Sequence, residues 1–122
     1  MKKSILIAVV LLFNLGCSQI KEKHITEVSQ NELENVVLVD VRTPGEFNEG
    51  HLKNALNIDW LGDTFSKQFE EISKEETIYL YCRSGKRSAD ATRFLDSLGY
   101  KHVVNLKGGY IAWEEREESI AN

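Results

Sequence analysis

Residues 77–100 read TIYLYCRSGKRSADATRFLDSLGY. The first six are apolar apart from the leading threonine, and they are rich in aromatic side chains. A run this short and this continuous reads as a strand buried on both faces. The last thirteen carry helical spacing: Ala91, Leu95 and Leu98 form a stripe, Ser88 stands at the N-cap position and Gly99 at the C-cap. A buried strand that runs through a short loop into a helix is the joint of a parallel β–α unit. That joint puts Cys82 at the carboxyl end of the strand, where open α/β sheets bind their ligands.

The same alternation extends in both directions. VVLVD (36–40) is a second buried strand that stops at an acid, and ALNI (55–58) and VVNL (103–106) are shorter strand candidates. ITEV (25–28) is expected to add an edge strand. SQNELEN (29–35) opens with Ser29 and has Glu32 three places on, the pattern of a capping box. FSKQFEEI (65–72) spaces Phe65, Phe69 and Ile72 for one helical face, and GGYIAWEERE (108–117) supplies a last helix after a glycine turn. Strands alternating with helices predict an α/β fold around a largely parallel sheet.

The chain has 122 residues, enough for one core and not for two. Its start stands apart. Lys2 and Lys3 precede an unbroken apolar run, Ile5–Phe13. That run is too short for a bilayer, which needs about 20 residues. It fits the core of an export signal. LFNLGCSQ (12–19) then resembles the lipobox of bacterial lipoproteins, with Gly16 before Cys17, although Asn14 stands where that family prefers leucine and Leu15 falls one place later. The expected organisation is a leader over 1–16, a lipidated Cys17 with a polar tether to residue 24, a domain over 25–118 and a tail over 119–122. A diacylglyceryl thioether with an N-acyl chain suffices for stable anchoring. The domain is then expected in the cell envelope, in the periplasm or outside the cell.

Removing the leader takes two lysines off a net charge of −4 and leaves −6. Nucleic acid needs a basic face and is not an expected partner. With Cys17 acylated, Cys82 is the one free thiol, and no intrachain disulfide forms. A lone thiol in an oxidising compartment is a liability unless it is buried or used.

Two readings of Cys82 compete. An inert core cysteine sits in apolar surroundings. Here the sulfur is followed by RSGKRS, with loop N–H groups at a helix start and three cations, Arg83, Lys86 and Arg87. Such surroundings favour the thiolate, the reactive form of cysteine. Arg83 and Lys86 fit anion attraction and solvated surface charge equally well. No metal site is expected, since His24, His51 and His102 are scattered and only one thiol remains. A thioredoxin-like role would need a paired cysteine.

CRSGKR (82–87) resembles the active-site loop of rhodanese-domain sulfurtransferases, a cysteine followed by five residues that cradle its sulfur. VDVRTPGEFNEGHLKNALNID (39–59) resembles that family's N-terminal signature through Asp40, Arg42, Glu46, Phe47, Gly50, His51, Ala55, Asn57 and Ile58. LGYKHVVNLKGGYIAW (98–113) resembles its C-terminal signature. The resemblance implies a rhodanese-like fold, with a five-stranded parallel sheet and helices on both faces. It implies a persulfide on Cys82, cradled by Arg83, Ser84, Gly85, Lys86, Arg87 and Ser88, with no cofactor. A small anionic donor such as thiosulfate would supply sulfur. Cyanide, a thiol or a protein would accept it, in two half-reactions. Asp40 either orients the loop or serves a structural turn. Arg42 and Glu46 are expected to pair and brace the loop, and His51 to be a hydrogen-bonded structural residue. Tyr110, Trp113 and Trp60 are expected in the core or a pocket wall.

Two other functions fit the fold less well. A related branch of cysteine phosphatases and arsenate reductases has five residues between cysteine and arginine, whereas here four separate Cys82 from Arg87. Rhodanese-like domains also serve as binding modules or sulfur carriers, the binding modules usually after losing the cysteine that this chain keeps.

Overall fold

The computed structural model describes residues 19–121; the leader and Cys17 lie outside them. Five strands form one sheet: β1 (Lys21–His24), β2 (Val37–Asp40), β3 (Leu56–Asn57), β4 (Thr77–Tyr81) and β5 (His102–Lys107). Their order is β1-β5-β4-β2-β3, and every neighbouring pair is parallel. The helices are α1 (Gln30–Glu34), α2 (Pro44–Glu49), α3 (Phe65–Phe69), α4 (Lys86–Ser97) and α5 (Gly109–Ala121).

The continuous apolar runs have the predicted physical cause. Successive strand residues point to opposite faces. Ile78, Leu80 and Cys82 enter one layer with Val39, Val41, Val103, Phe65, Phe69, Ala91 and Leu95. Tyr79 and Tyr81 enter the other with Leu38, Leu33, Ile25, Val104 and Leu106, closed by Tyr110 and Trp113 of α5. Both faces are covered, as a parallel sheet requires. α1 and α3 are five residues each, far too short to persist alone. Burial of Leu33 in one and of Phe65 and Phe69 in the other holds them, at about 2 kcal/mol per large apolar side chain.

Several local expectations need correction. The edge strand is Lys21–His24, inside the segment read as a tether, and Ile25–Glu27 is a single 3-10 turn. All four β1 side chains are exposed. The strand is held by backbone pairing to β5, and lysine-rich polar edges of this kind discourage further pairing. Ile25 and Val28 instead drop into the core. Ser29 caps α1 through the Glu32 N–H, but the Glu32 carboxylate turns to Tyr79 and Lys23, so the box is half formed. Helix α4 begins at Lys86, with Gly85 as its N-cap, so Ser88 lies inside the helix. Leu98 leaves the apolar stripe at 38% exposure, while Gly99 takes the left-handed turn expected of it. α5 runs to Ala121, through most of the expected tail.

The strand order positions the site. From β2 the chain moves outward to β3, then returns across β2 through α3 to β4. The loops after β2 and β4 therefore diverge, which opens a crevice at the carboxyl edge of the sheet. Asp40 ends β2 and Cys82 follows β4, on the two sides of that divergence, and both are buried.

Candidate active site

Cys82 directly follows β4 and is 1% exposed. Its carbonyl accepts from the Tyr110 N–H at 2.8 Å, which fixes the strand end against the start of α5. The loop then folds back over the sulfur. The Gly85 N–H donates to Sγ at 3.0 Å, and the Ser88 hydroxyl lies 3.4 Å from it. Gly85 has φ of 109°, a left-handed conformation that side chains disfavour. Gly109 closes the cradle from behind. It sits at φ 60°, and a Cβ there would run into the carbonyl oxygens of Cys82 and Arg83.

These contacts decide the state of the thiol. Burial is the largest single influence and pushes its pKa up. The Ser88 hydroxyl, then the N–H groups of Ser88, Gly85 and Ser84, together outweigh burial and hold the thiol below its ordinary value. The donors are thus mainly backbone groups at the start of α4, which have no partners within the helix.

The Ser88 hydroxyl has one proton and two acceptors within reach. It can donate to Sγ or, at 3.2 Å, to the Gly85 carbonyl. An anionic sulfur is the stronger acceptor, so ionisation of Cys82 draws the hydroxyl away from Gly85.

The cations divide. Arg87 forms a two-pronged pair with Glu46, at 2.7 and 2.9 Å. Glu46 is itself fixed in a complete capping box with Thr43 at the start of α2. Arg87 is held above its ordinary pKa, by Glu46 foremost against burial, and the charge on Cys82 adds to the effect. The same pair holds Glu46 down to about 2, with burial opposing and Thr43 assisting. The contribution of the pair to stability is therefore complete above the ordinary carboxylate range and is lost as pH falls through about 2. Arg83 and Lys86 are exposed and make no ion pair among the described residues.

The expected Arg42–Glu46 pair does not form. Arg42 binds Asp40 instead, through Nε and Nη2 at 2.7–3.0 Å, with both side chains buried. The short i, i+2 separation brings the two together at the end of β2, and burial of either charge demands the other. Arg42 also donates to the Gly50 carbonyl at 2.6 Å and lies 4.2 Å from the Tyr110 ring centre. Asp40 thus bonds within the turn after β2, whereas Glu46 bonds Arg87 of the cysteine loop. His51 stacks on Phe47, with Nδ1 2.9 Å from the Phe47 carbonyl, and makes no contact with the sulfur. Tyr110 forms a wall of a cavity of about 250 Å³ beside the loop, with Arg42, Glu46, Arg83 and Glu114. A larger cavity of about 480 Å³ lies along the exposed edge at Leu56–Ile58 and contains no residue of the cysteine loop.

The site is thus a buried thiol held in a strand-to-helix loop, at the switch point of a parallel sheet in an α/β domain. Residues 25–116 match the model of the rhodanese-like domain, and the chain belongs to that family. A sulfurtransferase of Allochromatium vinosum is 42% identical over 82 residues, which cover 67% of this chain and 75% of that protein. The thiosulfate sulfurtransferase GlpE of Tolumonas auensis is 32% identical over 82 residues, covering 67% and 76%. The crystal structure of a rhodanese-like domain protein from Staphylococcus aureus superposes with a TM-score of 0.64 at 33% identity, covering 77% of this chain and 91% of that one.

Proposed function

We propose that this protein is a rhodanese-type sulfurtransferase that carries a sulfane sulfur as a persulfide on Cys82. The observation that supports this most directly is the cradle, in which the Gly85 N–H and the Ser88 hydroxyl converge on Sγ. In the first half-reaction the Cys82 thiolate attacks the outer sulfur of thiosulfate. The new S–S bond forms as the bond to the sulfonate sulfur breaks, and sulfite leaves with the electron pair. In the second, an acceptor such as cyanide or a thiolate takes the outer sulfur. The S–S bond breaks and the Cys82 thiolate returns. The loop N–H groups favour the anionic sulfur in both forms. Arg83 and Lys86, which make no ion pair among the described residues, attract the anionic donor and favour departure of sulfite.

Intact mass of the purified protein tests this. Thiosulfate should add one sulfur atom, and cyanide should remove it as thiocyanate. The loading rate should climb with pH and level off below the ordinary thiol range, because the reactive species is the thiolate and its pKa is lowered. If neither thiosulfate nor polysulfide adds sulfur, the binding-module reading takes its place.

We further propose that Cys17 is the lipidated first residue of the mature protein, on the strength of Lys2, Lys3, the apolar run Ile5–Phe13 and Gly16. Cys17→Ala should move the protein from the membrane fraction to the soluble fraction. Retention in the membrane fraction would remove the anchor from the account.

A further inference from the structure

We propose that Asn105 is a positioning residue for the sulfur cradle: fastened to Glu22 on β1, it holds the Gly85 carbonyl and so releases the Ser88 hydroxyl to the sulfur. The inference rests on Cys82 being the working thiol.

Asn105 is out of place by composition. It sits in the middle of β5 between Val104 and Leu106, is 1% exposed, and its Oδ1 accepts no hydrogen bond among the described residues. A buried amide with an unpaired carbonyl is a loss to stability that valine would avoid. The Nδ2 end has two partners. One is Glu22 Oε2 at 3.0 Å, and Glu22 is the residue opposite Asn105 in the β1–β5 register. The other is the Gly85 carbonyl at 3.3 Å. The two protons of the amide thus reach the strand edge on one side and the cysteine loop on the other.

The Gly85 carbonyl has three donors in range: the Ala89 N–H at 3.1 Å, the Ser88 hydroxyl at 3.2 Å and Asn105 Nδ2. When Cys82 becomes anionic, or carries a persulfide anion, the hydroxyl is drawn to Sγ. Asn105 stays on the carbonyl, so the exchange leaves Gly85 satisfied and its left-handed backbone fixed. Without Asn105 the carbonyl competes harder for the hydroxyl, and the thiolate loses a donor. The charged groups coupled to the sulfur, Arg87 with Glu46 and Asp40 around it, make no hydrogen bond to Asn105.

The test is Asn105→Val in the full chain, read by the pH dependence of Cys82 alkylation with iodoacetamide and by thermal melting. The alkylation midpoint should move upward and the rate at neutral pH should fall about fivefold, the equivalent of one ordinary hydrogen bond. Melting should be unchanged or higher, which a structural role would not allow. In a Ser88→Ala background the shift should vanish, because the effect runs through that hydroxyl. Glu22→Ala alters an accessible edge residue, so its folding is not at risk, and it should shift the midpoint the same way by less. An unmoved midpoint in Asn105→Val overturns the inference. So does a full shift that persists in Ser88→Ala. If Asn105→Val fails to fold, an unmoved midpoint in Glu22→Ala overturns it. Alkylation reads the thiol and not sulfur transfer. A wild-type protein that takes up no sulfur would therefore count against the proposed function alone.

Discussion

Cys82→Ser should abolish the proposed sulfur transfer, with loss on the order of 10⁴-fold or more, as for removal of other covalent nucleophiles. Serine fills nearly the same volume at a residue 1% exposed. Its hydroxyl can still accept from the Gly85 N–H, so the cradle keeps its shape. The stability loss is about 1 kcal/mol, the scale of one weakened hydrogen bond. Chemistry is what disappears. A hydroxyl stays protonated where the thiol ionises, and it forms no S–S bond to hold the transferred atom. The same loop N–H groups and cations remain and have no anion to serve. The measurement pairs thiocyanate production with far-ultraviolet circular dichroism. Turnover within tenfold of the parent, in a folded variant, would remove Cys82 from the mechanism and end the persulfide account.

Much of this was legible in the sequence because the relevant signals are local. TIYLYC and VVLVD announce strands buried on both faces, since runs this short, rich in β-branched and aromatic side chains, suit a pleated sheet better than a helix. The position of Cys82 followed from the junction of that strand with a helix. What stayed hidden depends on partners far along the chain. β1 carries no apolar pattern and exists because β5 offers it a backbone edge. Helix α2 is signalled by Thr43, Pro44 and Glu46 alone, a capping box too short to stand out within the longer signature around it. The partner of Glu46 is Arg87, 41 residues on. Spacing alone favoured the nearer Arg42, which burial had already committed to Asp40. Asn105 gave one sign, a polar residue in an apolar run, and only the fold shows that it points toward Gly85 and Glu22.

The Asp40–Arg42 pair carries the second large effect, on stability. Asp40→Asn keeps the shape and removes the charge, leaving a guanidinium buried without its counterion. Breaking one side of such a pair costs about 3–5 kcal/mol, a large share of the 5–15 kcal/mol typical of a whole domain. In urea the midpoint should fall accordingly, and thermal melting should drop by more than about 10 °C, given several degrees per kcal/mol in a domain of this size. The effect should also reach the site. Arg42 holds the Gly50 carbonyl at the end of α2, and α2 carries the Glu46 that grips Arg87. Sulfur loading should therefore weaken below the melting range. A double variant, Asp40→Leu with Arg42→Met, removes both charges and their desolvation together. It should lose less stability than Asp40→Asn alone, because the penalty lies in the unpaired charge. If the double variant is instead the less stable, the pair itself, rather than avoidance of a bare charge, holds the end of β2. If Asp40→Asn loses under about 1 kcal/mol, the range of an exposed pair, solvent reaches Arg42 and the bracing of the loop rests on Glu46 and Arg87.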